Sequence, residues 1–259
     1  MGYLRLRQIC LVASDLARVE KQIADVLGLE ICFRDPGVGK YGLHNALFAA
    51  GGTFLEVVSP TQPNTAAGRY LERRKGDGGY MYIVDCDNLE TRREHFKAEG
   101  VRMVEDLKST EWGLTGEALH LHPRDTGGCL LSVDRHSPDD AMGGSYKWAG
   151  PNWREHDRST TVAQIAGAAI QSPDPADLAA RWSHLLQRPL KKNEGGGLDI
   201  RLDQGFVHFG PLRDDRGEGL RAVHLRTKDN ATILANAVKA GVPCGEDHVD
   251  LCGVRFLLV

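Results

Sequence analysis

An α+β fold of tandem βαβββ modules, four of them paired into two lobes, is predicted by three observations. The first is an internal repeat: GLHNALFAAGGTFLEVVS at 42–59 returns as EALHLHPRDTGGCLLSVD at 117–134. At a single offset of 76 residues, Leu43 and His44 fall on Leu119 and His120, Gly51 and Gly52 on Gly127 and Gly128, and Leu55 and Val57 on Leu131 and Val133. The second is a strand-like apolar run that four times passes through an Asp into a helical pattern. The third is that each of these helices is followed by strands and turns. Two copies of one half-barrel that face each other leave a cleft between them, so the polar residues that interrupt their apolar strands become the site candidates.

The first unit is LRQICLVASDLARVEKQIADVLGLE, where Leu16, Val19, Ile23 and Val26 recur at helical spacing. Asp15 stands where an N-cap is wanted, and Gly28 where the helix should stop. GYMYIVDCDNLETRREHFKAEGV repeats the arrangement with Asp87 and Gly100 in the same roles. In IAGAAIQSPDPADLAARWSHLLQRPL, Leu178, Trp182, Leu185 and Leu186 share a face, with a start at Asp174-Pro175 and an end before Pro189. The fourth unit, LRAVHLRTKDNATILANAVKAGV, runs from a cap at Asp229 to Gly241 and is followed only by PCGEDHVDLCGVRFLLV, a shortened ending. The Gly-Gly pairs lie between apolar runs, as hairpin turns requiring positive φ would. Residues 136–159 are rich in Gly, Pro, Asp and Trp and carry no periodicity. They are assigned as a linker between a lobe at 1–135, which holds the principal site, and a second lobe at 160–259 of two shorter modules, with Trp148 and Trp153 holding the linker onto the surface.

An apolar fraction of 41% with 26% charged residues places the chain among soluble globular proteins rather than disordered ones. A formal charge of -3 and the absence of any long basic run argue against nucleic acid and anionic membrane as partners. With no membrane-length apolar stretch and no signal-peptide pattern at the start, a cytoplasmic address is expected. The six cysteines form no CxxC pair, so reduced thiols are expected, and neither a disulfide framework nor a structural zinc site.

This rhythm of strand, Asp, helix and Gly, with TFLEVVSP at 53–60 as its most specific segment, resembles the vicinal oxygen chelate superfamily of glyoxalase I, methylmalonyl-CoA epimerase, the extradiol dioxygenases and the fosfomycin and bleomycin resistance proteins. The resemblance implies two modules curled around a cleft and one divalent metal held by side chains from the first and last strand of each module. Carried onto this chain, the first-strand and last-strand positions are Gln8 and Glu56 in module one and about Met81 and Ser132 in module two. Gln and Glu suit a glyoxalase-like or epimerase-like site, whereas Met81 and Ser132 are poor ligands for a hard ion. In the second half the positions are Gly167, His208, Ala222 and either Phe256 or Leu257.

Glu56, flanked by Phe54, Leu55, Val57 and Val58, is read as a desolvated general base. His44 and His120, matched by the repeat, are the other catalytic candidates as proton carriers, oxyanion donors or ligands. His122 shares a strand face with His120, which makes HLH a two-ligand metal arm, with Glu56 or Asp125 as a third donor. The metal set, if an ion is held at all, is therefore Gln8, Glu56, His120 and His122. Gln8, Asn45, Met81, Tyr80, Ser132 and His122 are assigned to substrate binding. Asn45 competes with His44 for the inward place, since one slip of register swaps the faces. Arg69, Tyr70 and Tyr82 are further candidates for an anionic or aromatic ligand. His208 and His224 are read as core or surface residues because nothing polar gathers near them in the sequence.

Three functions follow, in order. The first is a glyoxalase-like or epimerase-like enzyme, a lyase or isomerase, with Glu56 removing a proton beside a carbonyl. The second is metal-free sequestration of a small molecule, and the third an extradiol dioxygenase. The expected partner is a small-molecule substrate, with a homodimer as an allowed assembly.

Overall fold

The computed structural model describes residues 2–193 and 195–259. The first module is β1 (Leu4–Val12), α1 (Leu16–Leu27), β2 (Ile31–Phe33), β3 (Leu43–Ala50) and β4 (Thr53–Pro60). Helix α2 (Ala66–Arg74) leads to the second: β5 (Gly78–Cys86), α3 (Leu89–Ala98), β6 (Met103–Glu111), β7 (Leu114–Leu121), a helical turn α4 (Pro123–Thr126) and β8 (Leu130–Ser137). The third is β9 (Val162–Ser172), α5 (Pro175–Leu186), β10 (Leu190–Lys192), β11 (Leu198–Arg201) and β12 (Phe206–Pro211). The fourth, β13 (Gly219–Thr227), α6 (Asn230–Lys239), β14 (His248–Leu251) and β15 (Val254–Leu258), has two strands after its helix instead of three. Among the described residues no helix is long and apolar enough to cross a membrane.

Modules one and two form one eight-stranded sheet, ordered β2-β3-β4-β1-β5-β8-β7-β6, and modules three and four a seven-stranded one, β10-β11-β12-β9-β13-β15-β14. At the centre of the first sheet β1 and β5 run antiparallel, Cys10 opposite Met81, while β1 pairs with β4 and β5 with β8 in parallel. The helices begin where polar side chains cap them: Asp15, Asp174 and Asp229 each accept from a backbone N–H three residues on, an interaction of about 1 kcal/mol. In the second module the cap is Asn88, which accepts from Thr91 N, and not Asp87. Either residue type can cap a helix, and composition alone does not separate neighbours.

The two sheets share a core. Leu6, Ile9, Leu11 and Val84 from the first sheet, Ile165, Ala168, Ile170 and Val223 from the second, and Val19, Ile23, Val26 and Trp182 from the helices form one buried cluster. Trp182 ties the halves further by donating from Nε1 to the Thr126 carbonyl at 3.1 Å. That leaves the opposite face of the first sheet for a different job. There Cys10, Val12, Val58, Met81 and Ile83 pack under Ala67 and Tyr70 of α2, while Leu47, Ala49 and Phe54 pack under Tyr146, Ala149 and Trp153.

The aperiodic stretch at 136–159 thus sends part of its length into the interior, while Asp139, Asp140, Asn152 and Glu155 stay at the surface. β8 extends to Ser137, and Tyr146, Ala149 and Trp153 are buried, so this segment is a wall of the fold more than a surface strap. The repeat also needs a correction. β3 and β4 turn tightly through Gly51 and Gly52, at φ of 58° and 77°, as a two-residue hairpin turn requires. Gly127 and Gly128 instead follow α4, which lengthens the β7–β8 connection. Leu47 sits opposite Glu56, nine residues on, whereas His120 sits opposite Ser132, twelve residues on. The 76-residue offset therefore holds for the last strand of each module and slips by three residues in the strand before it.

Candidate functional site

A cavity of about 960 Å³ lies on the free face of the first sheet, walled by Gln8, Leu47, Glu56, Val58, Met81 and Ile83, with Tyr70 and Arg73 of α2 above and His120, Asp134 and Trp148 on the far side. β1 enters this face through a register irregularity between Leu6 and Gln8. Leu6 and Ile9 both stay in the inter-sheet core, and the extra residue leaves Arg7 and Gln8 together on the cavity side, as a β-bulge does.

Glu56 is the centre of a closed hydrogen-bonded set. Gln8 Nε2 donates to its Oε2 at 2.8 Å, and Asn45 Nδ2 donates to its Oε1 at 2.6 Å. Gln8 is fixed in turn, because the Tyr146 hydroxyl donates to its Oε1 at 2.8 Å. Tyr146 is itself immobilised by stacking on Phe54 at 4.2 Å with an interplanar angle of 7°. Burial raises the Glu56 carboxyl above the usual carboxylate range, while the bonds from Asn45, Cys10 and Gln8 pull the other way. The product is a carboxylate that is rigid, desolvated and exposed to a cavity.

Asp134 was not singled out by the sequence. It lies on β8 two residues beyond Ser132, so strand alternation places both on the same face. Ser132 Oγ donates to one of its oxygens and Trp148 Nε1 to the other, the latter at 2.8 Å. Burial pushes its carboxyl up to about 7 despite these donors. The first sheet thus brings one buried carboxylate from each module to a single cavity. The period-two spacing Ser132, Asp134 was the available signal. For Tyr146 and Trp148 there was none, since Tyr146 meets Gln8 across 138 residues of chain.

The remaining candidates divide. His44 is exposed and points to the opposite face from Glu56; it pairs with Ser59, whereas Asn45 shares the Glu56 side. The shared offset had aligned it with His120, and the longer β7–β8 connection is why that alignment fails. His120 does line the cavity, opposite Ser132, and burial lowers its imidazole to about 4, so it is neutral near pH 7. His122 is not a strand partner of His120: β7 ends at Leu121, and His122 caps α4 by accepting at Nδ1 from Arg124 N at 3.1 Å. Tyr80 and Met81 line the cavity. Asn45 and Ser132 stand behind Glu56 and Asp134, and position these carboxylates without walling the cavity themselves. Tyr82 is turned away, into the core.

The strand registers also test the implied metal. Cys10 faces Met81 across β1–β5 and Glu56 along β4, and Ile83 faces Ser132 along β8, so Met81 and Ser132 do occupy the module-two positions equivalent to Gln8 and Glu56. A thioether and a hydroxyl committed to Asp134 are poor donors for a hard cation. Gln8 and Glu56 spend their donor atoms on each other, Asn45 and Tyr146. Among the described residues no three His, Cys, Asp or Glu side chains gather to hold a metal ion. The donor set does not fit the ion, and the proposed quartet of Gln8, Glu56, His120 and His122 is not assembled.

In the second sheet, polar groups do gather around His208, contrary to the expectation of an isolated residue. Asp199 Oδ1 is 2.8 Å from its Nδ1, Asn193 donates to the same carboxylate at 3.0 Å, and Arg201 pairs with Asp199. These contacts are mutual and local.

A family model described as Glyoxalase-like domain matches residues 9–186. Methylmalonyl-CoA epimerase, mitochondrial, from Mus musculus is 24% identical over 132 residues, 51% of this chain and 72% of that protein. Ethylmalonyl-CoA/methylmalonyl-CoA epimerase from Cereibacter sphaeroides is 21% identical over 131 residues, 51% of this chain and 97% of that protein. Over its whole length the fold is similar to the crystal structure of a hypothetical protein from Staphylococcus aureus, with a TM-score of 0.70, 12% identity and 99% of both chains covered.

Proposed function

Since the chain belongs to the glyoxalase-like domain family, whose model spans more than half its length, we propose that it is an isomerase or epimerase that moves a proton at the carbon beside a carbonyl. The observation that carries this reading is Glu56, buried and gripped by Gln8 and Asn45 in the wall of the cavity. In its ionised form it takes the proton from the α-carbon. The C–H electron pair then moves into the carbonyl, and negative charge develops on the carbonyl oxygen. Asp134, whose carboxyl keeps a proton up to about pH 7, faces the same cavity from the other module and returns a proton to the intermediate. Neutral His120 contributes a hydrogen bond but no charge. A proton donor and a proton acceptor whose environments set them apart are what such chemistry needs.

The relatives named as epimerases of methylmalonyl-CoA point to a 2-branched acyl thioester as the substrate class, and to isomerase over lyase chemistry. The alternative of a two-histidine, one-carboxylate iron site finds no support, since His44 is outside the cavity and His122 is a helix cap. The test is to incubate the protein with methylmalonyl-CoA in D2O and follow deuterium at C2 by mass spectrometry. Incorporation well above the uncatalysed rate is expected. Its absence there, and across a panel of small carbonyl compounds, would leave sequestration as the better reading.

A further inference from the structure

The cavity wall contains a lysine that the fold has buried. Lys147 lies between the two sheets in sequence, its side chain is only 7% exposed, and it lines the same cavity as Glu56 and Asp134. Its backbone N–H donates to His136 Nδ1 at 3.2 Å, and the indole of the next residue, Trp148, donates to Asp134. The residue is therefore held by its surroundings on both sides. Its ammonium faces the rings of Trp112 and Trp148 at 5.2 and 5.5 Å and pairs at 3.2 Å with Glu111, whose side chain is 53% exposed at the tip of the β6–β7 hairpin.

An ammonium carries three N–H donors, and removing it from water is costly unless they are met. One exposed glutamate on a hairpin tip is a replaceable partner of small worth. The other cations on the cavity are placed differently. Lys40 is half exposed and pairs with Glu105, Lys108 is exposed and pairs with Glu117, Arg69 is bonded to the Asn64 carbonyl, and Arg73 lies over the Tyr70 ring. Among the described residues, Lys147 alone of the lysines and arginines that line it is buried. A desolvated, preorganised ammonium strengthens its interaction with an anion that enters the same low-dielectric space.

Resting on the proton-transfer reading above, we propose that Lys147 selects a substrate that carries a carboxylate, binding that group in place of Glu111 and so orienting the α-carbon between Glu56 and Asp134. The segment between the sheets would then supply substrate specificity as well as the clamp on Gln8. Lys147 acts on the ground state, since the carboxylate is present before any proton moves.

The experiment compares methylmalonyl-CoA with propionyl-CoA, which differ by one carboxylate, in calorimetric binding to wild type, Lys147→Met and Lys147→Arg, with melting curves confirming that each variant is folded. Wild type should prefer the carboxylate-bearing ligand, and Lys147→Met should weaken that ligand about ten- to a hundredfold, the worth of one charge-assisted hydrogen bond, while leaving propionyl-CoA unchanged. Lys147→Arg should restore part of the preference. A preference that survives Lys147→Met overturns the assignment, as does wild type that shows no preference or binds neither ligand. A fall in kcat with unchanged affinity also overturns it, since that marks a role toward the developing oxyanion. The two readings separate cleanly: deuterium exchange without carboxylate preference defeats only the anchor, and preference without exchange defeats only the proton transfer.

Discussion

The two sheets present the same four positions and make different things of them. On the first sheet they are Gln8, Met81, Glu56 and Ser132; on the second, the matching registers place Gly167, Ala222, His208 and Leu257. Each sheet keeps one titratable group there, Glu56 or His208. What separates them is the covering. Helix α2 and residues 138–157 close over the first sheet and leave a cavity beneath. The corresponding connection between β12 and β13 is the short segment 212–218, without helix or strand. Glu56 is accordingly desolvated and held from three sides, whereas His208 is engaged by Asp199 on the neighbouring strand and crowded by Gly197, where an added Cβ would lie 2.3 Å from its ring. A functional position in this fold is made by what is laid over the sheet as much as by the residue on it.

The sharpest way to break this comparison is to neutralise each group in turn. Glu56→Gln keeps the shape and removes the base, so deuterium exchange should fall by roughly two to four orders of magnitude. His208→Gln should leave the exchange rate unchanged. Equal losses in the two variants would mean that both sheets serve one reaction, and the contrast between them would be lost.

A second, smaller effect should appear in stability. Burial raises the Asp134 carboxyl from 3.8 to about 7, so the folded chain retains a proton that the unfolded chain releases. The stabilisation is complete below about pH 4 and is lost as pH rises through about 7. Asp134→Asn removes the titration. Relative to wild type, the variant should therefore gain about 2 to 4 kcal/mol between pH 4 and pH 8, at about 1.4 kcal/mol per unit of displacement, in urea unfolding at the two values. A difference independent of pH would mean that Asp134 is ionised and solvated in the folded protein.

Much of the fold was legible because its signals are local. Helical spacing, an Asp before each module's helix, a Gly or a Pro after it, and paired Gly at a tight turn are each decided by a few neighbouring residues, and α1, α5 and α6 start at the expected caps. Gln8 and Glu56 were legible for a related reason: a polar residue inside an apolar strand is conspicuous. The rest depends on distance and register. Tyr146, Lys147 and Trp148 sit in an aperiodic stretch whose role exists only once it folds back on Gln8 and Asp134. Asp134 could have been found from its alternation with Ser132. His44 was misplaced because matched glycines suggested a common hairpin, while the connection that carries α4 shifts the register of one copy by three residues relative to the other.

That misplacement yields the smallest and most discriminating test. His44 is exposed on the far side of β3, so His44→Ala should change stability by no more than about 0.5 kcal/mol and leave the exchange rate intact. Its neighbour Asn45 holds Glu56 at 2.6 Å and accepts from Asp35 N at 2.8 Å. Asn45→Ala strips a donor from a buried carboxylate, at a cost of about 1 to 3 kcal/mol. Because that donor favours the ionised form, its loss should raise the Glu56 carboxyl further, and the acid side of the rate profile should move to higher pH. Adjacent residues on one strand would then differ in both stability and pH dependence, although the repeat nominates the silent one. Should His44→Ala slow exchange while Asn45→Ala does not, the register of β3 against β4 would be displaced by one residue, and every assignment on that strand would change face with it.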